Sequence, residues 1–295
     1  MTTFENLVFE GGGVLGIAYA GAMKALEDHQ ILKQCKRVAG TSAGSITAAA
    51  IAAGYTAAEV KDLTWNTDFK KFEDRWNPFR ILTKYGLYKG NELLAFAKKV
   101  IGAKASPNAT FRDFHEKGFK ELRVFSTDLN IKDVREFSYR KTPDVVVAEA
   151  VRASMSIPIF FSAWQFKNLD PSKYEFAHHI FVDGGTVYNY PITTFDETGP
   201  NPQTLGFHLN DLDNKGKETG LEMKEPIKYV KVLFDTLLDS QNIDFERDID
   251  EKERTVIIND HGISATDFGL QDPQKQLLYN AGYDATNDFL KNKQA

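Results

Sequence analysis

Two short apolar runs each end in a glycine-rich turn that feeds a helix, and the second helix has almost no polar face. Leu7-Val8-Phe9 leads through Gly11-Gly12-Gly13 into a small-residue helix from Ile17 to Glu27. Arg37-Val38-Ala39, a strand broken at Gly40, leads into an apolar helix from Ala43 to Ala53. A helix that is apolar all round must be covered all round. Such a chain has to stack helices against a sheet, and the alternation of strands with helices predicts an α/β fold with a mainly parallel sheet.

The later segments extend this pattern. Thr56 followed by Glu59 is a capping box that opens a helix to about Trp65. Asn91 to Val100 is helical by spacing, Leu122 to Thr127 is a strand with Val134 to Tyr139 as its hairpin neighbour, and Pro143 opens a helix through Ala153. Ile157 to Trp164 is apolar and aromatic, and His179 to Val182 is a strand running straight into Asp183-Gly184-Gly185. Asn210 to Gly220 reads as an exposed loop, and long helices follow at about Ile227 to Leu238 and Gln274 to Leu290. With 295 residues, 42% of them hydrophobic, one domain over 1–295 is expected, its motif-bearing core at about 5–195 and its C-terminal helices at about 225–292.

From Asn66 to Gly90, Trp76, Phe79, Tyr85 and Tyr88 stand among charges, the composition of a partly covered flap and a candidate lid. A net charge of −5 without a dense Lys/Arg cluster speaks against nucleic-acid partners. No run of 18 apolar residues occurs, and MTTFENLVFEGGG lacks a basic segment followed by a long apolar one. The expectation is a cytoplasmic, soluble protein that meets membranes only at their surface. The one cysteine, Cys35, fits a reducing compartment and reads as packing beside Val38-Ala39.

Chemistry concentrates in three places. Gly40-Thr41-Ser42-Ala43-Gly44 is a GxSxG motif between strand and buried helix, where a strained turn exposes the Ser42 hydroxyl and the helix N-terminus favours negative charge. Gly11-Gly12-Gly13-Val14-Leu15-Gly16 can present backbone N–H groups to an oxyanion. It also matches a dinucleotide-binding GxGxxG, but the next strand ends in Ala39-Gly40 and the serine turn rather than in the acidic residue that holds a ribose. Asp183, with Gly184 and Gly185, ends a strand, and because strand ends of a parallel α/β sheet converge on the edge where the Ser42 turn lies, it is the better base candidate. Among His29, His115, His178, His179, His208 and His261 none is singled out by its context; His208, beside Leu205-Gly206-Phe207, reads as a core histidine. No metal site is expected: His178 and His179 point to opposite faces of a strand, and an EF-hand-like spacing at Asp211, Asp213, Gly216 and Glu222 is spoiled by Lys215.

Taken in order, the glycine loop, the GxSxG turn and Asp183-Gly184-Gly185 resemble the patatin-like phospholipase family. Ala153-Ser154-Met155-Ser156-Ile157-Pro158, Asn189 and Pro191 extend the similarity, which covers about Leu7 to Pro191. The resemblance implies a three-layer α/β/α fold and cofactor-free hydrolysis of fatty-acyl esters, of phospholipids or related lipids, through an acyl-enzyme on a Ser-Asp dyad. It implies Ser42 as nucleophile, Asp183 as base and the amides of the Gly11, Gly12, Gly13 and Val14 loop as oxyanion hole, with Gly16, Gly40, Gly44, Gly184 and Gly185 in support. Leu15 departs from the family's usual Arg or Lys. Two alternatives stand beside this reading: a histidine-dependent serine esterase or acyltransferase, and a catalytically silent lipid-binding homologue.

Overall fold

The computed structural model describes residues 3–211, 222, 226–245 and 247–294. Its strands are β1 (Asn6–Phe9), β2 (Arg37–Thr41), β3 (Gly86–Tyr88), β4 (Glu121–Asp128), β5 (Asp133–Ser138), β6 (Ile159–Phe161), β7 (Phe181–Asp183), β8 (Thr204–Asn210) and β9 (Thr255–Asn259). Among the described residues, the central sheet runs β5-β4-β2-β1-β8-β9, with β7 also on β4, while β3 and β6 form a separate parallel pair. From β4 across to β9 all neighbours are parallel; β5 and β7 run antiparallel to β4. The architecture is α/β with a mainly parallel sheet, as the strand–helix alternation requires.

Side-chain alternation sorts each strand between two cores of unequal size. Leu7, Phe9, Val38, Leu122 and Val124 face the large one, shared with the helices Ile17–Asp28 and Ala43–Ala52 and with Leu278 and Leu290 of the long helix Asp272–Gln294. Val8, Ala39 and Phe125 face a small one, closed by Ile192 and Phe195. The apolar helix Ala43–Ala52 is buried at all but one of its positions, Ile46.

Most predicted elements appear close to their expected bounds. The capping box is present, with the Glu59 amide donating to Thr56 Oγ1 at 3.2 Å and the Thr56 amide to Glu59 Oε2 at 2.9 Å. Three expectations are corrected. Gly40 lies inside β2 and does not break it. Pro143 opens no helix: it lies in a turn, and Val146, extended and bridged to Thr110, directly precedes the helix Val147–Ser154. The third concerns Asp183, whose strand β7 is not one of the parallel set. A short helix at Phe111–Glu116, with its own Thr110–Asp113 capping box, and strand β9 were not anticipated.

The 66–90 segment divides into an inner and an outer side. Phe72 and Tyr88 are buried, whereas Trp76, Phe79, Leu82 and Tyr85 are 54%, 76%, 80% and 55% exposed. Of the EF-hand-like spacing, Asp213, Lys215 and Gly216 lie outside the described residues, as does most of the expected loop after Asn210. Among the described residues no group of His, Cys, Asp and Glu could hold a metal ion, and no helix is long and apolar enough to cross a membrane.

Candidate active site

Ser42 sits between the end of β2 and the first turn of the helix Ala43–Ala52, with φ 48° and ψ −123°, a conformation sparsely populated by residues with a Cβ. Packing holds the turn there. A Cβ on Gly40 would lie 2.2 Å from the Gly44 carbonyl oxygen, and one on Gly44 would lie 2.3 Å from that of Phe9, so only glycines let the helix close down on the strands.

The Ser42 hydroxyl donates to Asp183 Oδ2 at 2.7 Å. The other carboxylate oxygen, Oδ1, accepts from the Gly185 amide at 2.8 Å. Asp183 is fully buried and Ser42 only 4% exposed. Burial pushes the Asp183 carboxyl up from its ordinary 3.8 to about 7; the bonds from Ser42 and Gly185 and the nearby Arg152 guanidinium pull the other way without cancelling it. Arg152 is itself buried and donates to the carbonyls of Gly90 at 2.8 Å and Ser162 at 3.0 Å, and to Ser156 Oγ.

The glycine loop lies against this pair, since a Cβ on Gly11 would come within 3.1 Å of Ser42 Cβ. Gly13 has φ +53°, and a Cβ there would meet the Ala265 carbonyl oxygen at 1.9 Å. Two amides of the loop are already engaged: Gly11 donates to Asn189 O at 3.1 Å and Val14 to Ala265 O at 3.0 Å. Gly16 packs on Ala43 and Gly184 on Phe125 O, both with no room for a Cβ without displacement. Leu15 is buried in the large core, and its neighbours Val14 and Gly16 face the cleft instead.

That cleft, partly open to solvent, starts at Ser42 and Gly13 and is walled by Ile46, Phe69, Phe72, Phe96, Met155, Ile157, Phe161 and Phe268, among others. Among the described residues Ser42, Thr47 and Thr64 are its hydroxyl-bearing lining, and no charged side chain lines it. Ile157 and Phe161, from the apolar stretch Ile157 to Trp164, are on its wall; Phe160 is buried beside it against Phe268.

None of the six histidines lines the cleft. His179 Nδ1 lies 2.8 Å from Asp128 Oδ2, His29 Nε2 lies 3.1 Å from Asn287 Oδ1, and His115 stacks on Tyr139. His208 is buried, stacked on Phe245, with Nε2 3.6 Å from Glu10 Oε1. His178 is exposed, and His261 lies in a turn. Burial pushes the Cys35 thiol up to about 12, which suits packing and not nucleophilic chemistry. Asn189 also belongs to the site, although its motif gave it no function there. Its Nδ2 donates to Glu10 Oε1 at 2.9 Å and Gly11 O at 3.2 Å, tying the glycine loop to the turn after Asp183. Its position five residues past Gly184 was the available signal.

Fold and site together define a layered α/β protein with a serine–aspartate pair whose serine lines an apolar cleft. The model of the patatin-like phospholipases matches residues 7–196, and the chain belongs to that family, a family of lipid-hydrolysing enzymes. An uncharacterized protein of Bacillus subtilis, YqhO, is 32% identical over 302 residues, covering 96% of this chain and 97% of that protein. A protein of Invertebrate iridescent virus 6 named "probable lipid hydrolase 463L" is 28% identical over 199 residues, 64% of this chain and 62% of its own length. Among solved structures, VipD from Legionella pneumophila shares the fold with a TM-score of 0.66 at 18% identity, covering 98% of this chain and 67% of that one.

Proposed function

We propose that this protein is a serine lipid acyl hydrolase in which Ser42 attacks a fatty-acyl ester carbonyl and Asp183 accepts the serine proton. The 2.7 Å bond between them, with Ser42 on the wall of an apolar cleft, carries the reading. A carboxylate at its ordinary proton affinity is a weak base for an alcohol; burial, which lifts Asp183 to about 7, makes it a better one near neutral pH.

As Ser42 Oγ bonds to the carbonyl carbon, negative charge develops on the carbonyl oxygen. Gly11 and Val14 spend their amides on Asn189 and Ala265, so within the expected loop we assign oxyanion donation to Gly12 and Gly13. Collapse of the tetrahedral species breaks the bond to the leaving alcohol, which takes the proton from Asp183 and leaves an acyl-Ser42 ester. Water, deprotonated by Asp183, then releases the fatty acid and restores the serine. The acyl chain lies along the cleft wall, and no cofactor or metal takes part in this reading.

The substrate is a phospholipid or a related fatty-acyl ester met at a membrane or micelle surface, where the exposed Trp76, Phe79 and Leu82 can bury apolar area beside Arg75 and Arg80. Labelling with a fluorophosphonate followed by peptide mapping tests the assignment: rapid modification at Ser42 is expected. A label on another residue, or none, overturns it.

A further inference from the structure

One buried bond at the site belongs to neither the reacting atoms nor the cleft. Where β2 gives way to the helix Ala43–Ala52, the Ser42 amide is a helix N-terminal donor without an intrahelical acceptor. It donates to Ser154 Oγ at 2.8 Å, and the same hydroxyl donates to the carbonyl oxygen of Phe125 in β4. Ser154 ends the helix Val147–Ser154 and is fully buried. A hydroxyl that accepts from one fixed group and donates to another has a single orientation, so it sets how far the Ser42 backbone stands from β4.

The next two residues act on the rest of the site. Met155 lines the cleft, and the Ser156 carbonyl accepts from the Asp183 amide at 2.8 Å. Asp183 is tied from β4 as well, through Thr127 Oγ1 to its carbonyl oxygen at 2.9 Å. One helix end thus grips the backbone of Ser42 by a side chain and the backbone of Asp183 by its own main chain.

We propose that Ser154 is a positioning residue for the nucleophile: its hydroxyl locks the Ser42 backbone at the position from which Oγ reaches both Asp183 and an ester carbonyl. This rests on Ser42 being the nucleophile. Without the bond, a buried amide is orphaned and the strained turn can relax.

Three variants test it: Ser154→Ala, Ser154→Cys and, as a comparison, Ser45→Ala. Ser45 Oγ also bonds Ser42, donating to its carbonyl at 2.6 Å, but the Ser45 amide holds that carbonyl too at 2.9 Å, so the turn keeps a tether. On a soluble p-nitrophenyl ester, Ser154→Ala is expected to lower kcat by about 10- to 100-fold, the scale of a misplaced reacting group, with KM changed less than about twofold. The cysteine variant, a weaker hydrogen-bonding group, falls between it and wild type, and Ser45→Ala retains at least about half of kcat. Fluorophosphonate labelling of Ser42 slows in step with kcat. The inference is overturned if folded Ser154→Ala keeps kcat within about threefold of wild type, or if Ser45→Ala loses as much at an equal drop in melting temperature. Should the alanine variant not fold, the cysteine variant decides by the same threshold. Wild-type protein unlabelled at Ser42 would sink the nucleophile assignment itself, whereas equally fast labelling of Ser42 in wild type and Ser154→Ala sinks only the role of Ser154.

Discussion

Ser42 and Asp183 stand at the ends of two strands that run toward each other along one edge of β4. Thr41, the last residue of β2, pairs with Phe125, and Asp183, the last residue of β7, pairs with the next residue, Ser126. Because β5 occupies the opposite edge of β4 from Arg123 to Asp128, β2 and β7 must share this one end to end. Two residues 141 positions apart in sequence are therefore held to a hydrogen bond by adjacent rungs of a single strand.

Loss of either member of this pair is expected to abolish turnover. Ser42→Ala and Asp183→Asn should each lower kcat/KM on a p-nitrophenyl ester by at least about 10³-fold while leaving the protein folded, because in the proposed mechanism each removes a group used in every chemical step. No single His→Ala change should cost a folded enzyme more than about tenfold, since His29, His115, His179 and His208 are all engaged away from Ser42. A folded histidine variant as inactive as Ser42→Ala would place the enzyme among histidine-dependent esterases.

The proton affinity of Asp183 links rate and stability with opposite signs. As the base of the proposed mechanism it must be ionised, so kcat/KM should fall tenfold per pH unit below about 7. For stability, a carboxyl whose folded value exceeds its unfolded one contributes fully below the unfolded value, and this is lost as pH rises through the folded value. Between pH 4 and 7 the native state holds a proton that the unfolded chain has released, so stability falls across that window; Glu10, pushed up to about 8 by burial, acts in the same sense. A rise from 3.8 to about 7 corresponds to on the order of 4 kcal/mol. Asp183→Asn should therefore melt higher than wild type at pH 8 and close to it at pH 4. Melting curves that differ equally at both pH values would contradict the buried ionised carboxylate.

The strand–glycine–helix units were legible because their signals are local: an apolar run, a glycine where backbones nearly touch, a helix with no polar face. Ser42 and Asp183 were legible as motif residues for the same reason. What brings them together was not, since β7 is only three residues long and its antiparallel direction depends on pairing with β4. The start of the helix Val147–Ser154 was misplaced because a bridge between Thr110 and Val146, 36 positions apart, overrides the local preference of Pro143. Engagement of the Gly11 and Val14 amides likewise depends on Asn189 and Ala265, which no pattern near the glycine loop announces.

Blocking the cleft should separate short acyl chains from long ones. Ile46 lies on the face of the Ala43–Ala52 helix that also carries Ala43 and Thr47 into the cleft wall, about one turn from Ser42. Ile46 is only partly buried, so a larger ring there fills cleft space more than it disturbs the core. Ile46→Trp is expected to keep p-nitrophenyl acetate hydrolysis within about threefold while lowering activity on a long-chain ester by tenfold or more. Parallel losses on both esters would show that the acyl chain does not lie along this wall.

The outer side of the 66–90 segment makes the remaining prediction, which concerns access to lipid. Phe69 and Phe72 face the cleft, while Trp76 and Phe79 are more than half exposed. Exposed aromatics so near a cleft can bury ring surface in a lipid interface, and Arg75 and Arg80 lie within the same stretch to meet anionic head groups, although the Arg80 guanidinium also donates to the carbonyls of Arg75 and Leu87 at 2.8 Å. Because neither ring belongs to the core, Trp76→Ala combined with Phe79→Ala should leave the melting temperature within about 2 °C of wild type, as surface changes usually do. Hydrolysis of a monomeric soluble ester should be retained. On anionic phospholipid vesicles the double variant should lose tenfold or more, mostly through weaker binding to the vesicle, which co-sedimentation reads directly. Equal losses on the soluble ester and the vesicles, or vesicle binding that the double variant leaves unchanged, would remove this surface from the lipid-docking role.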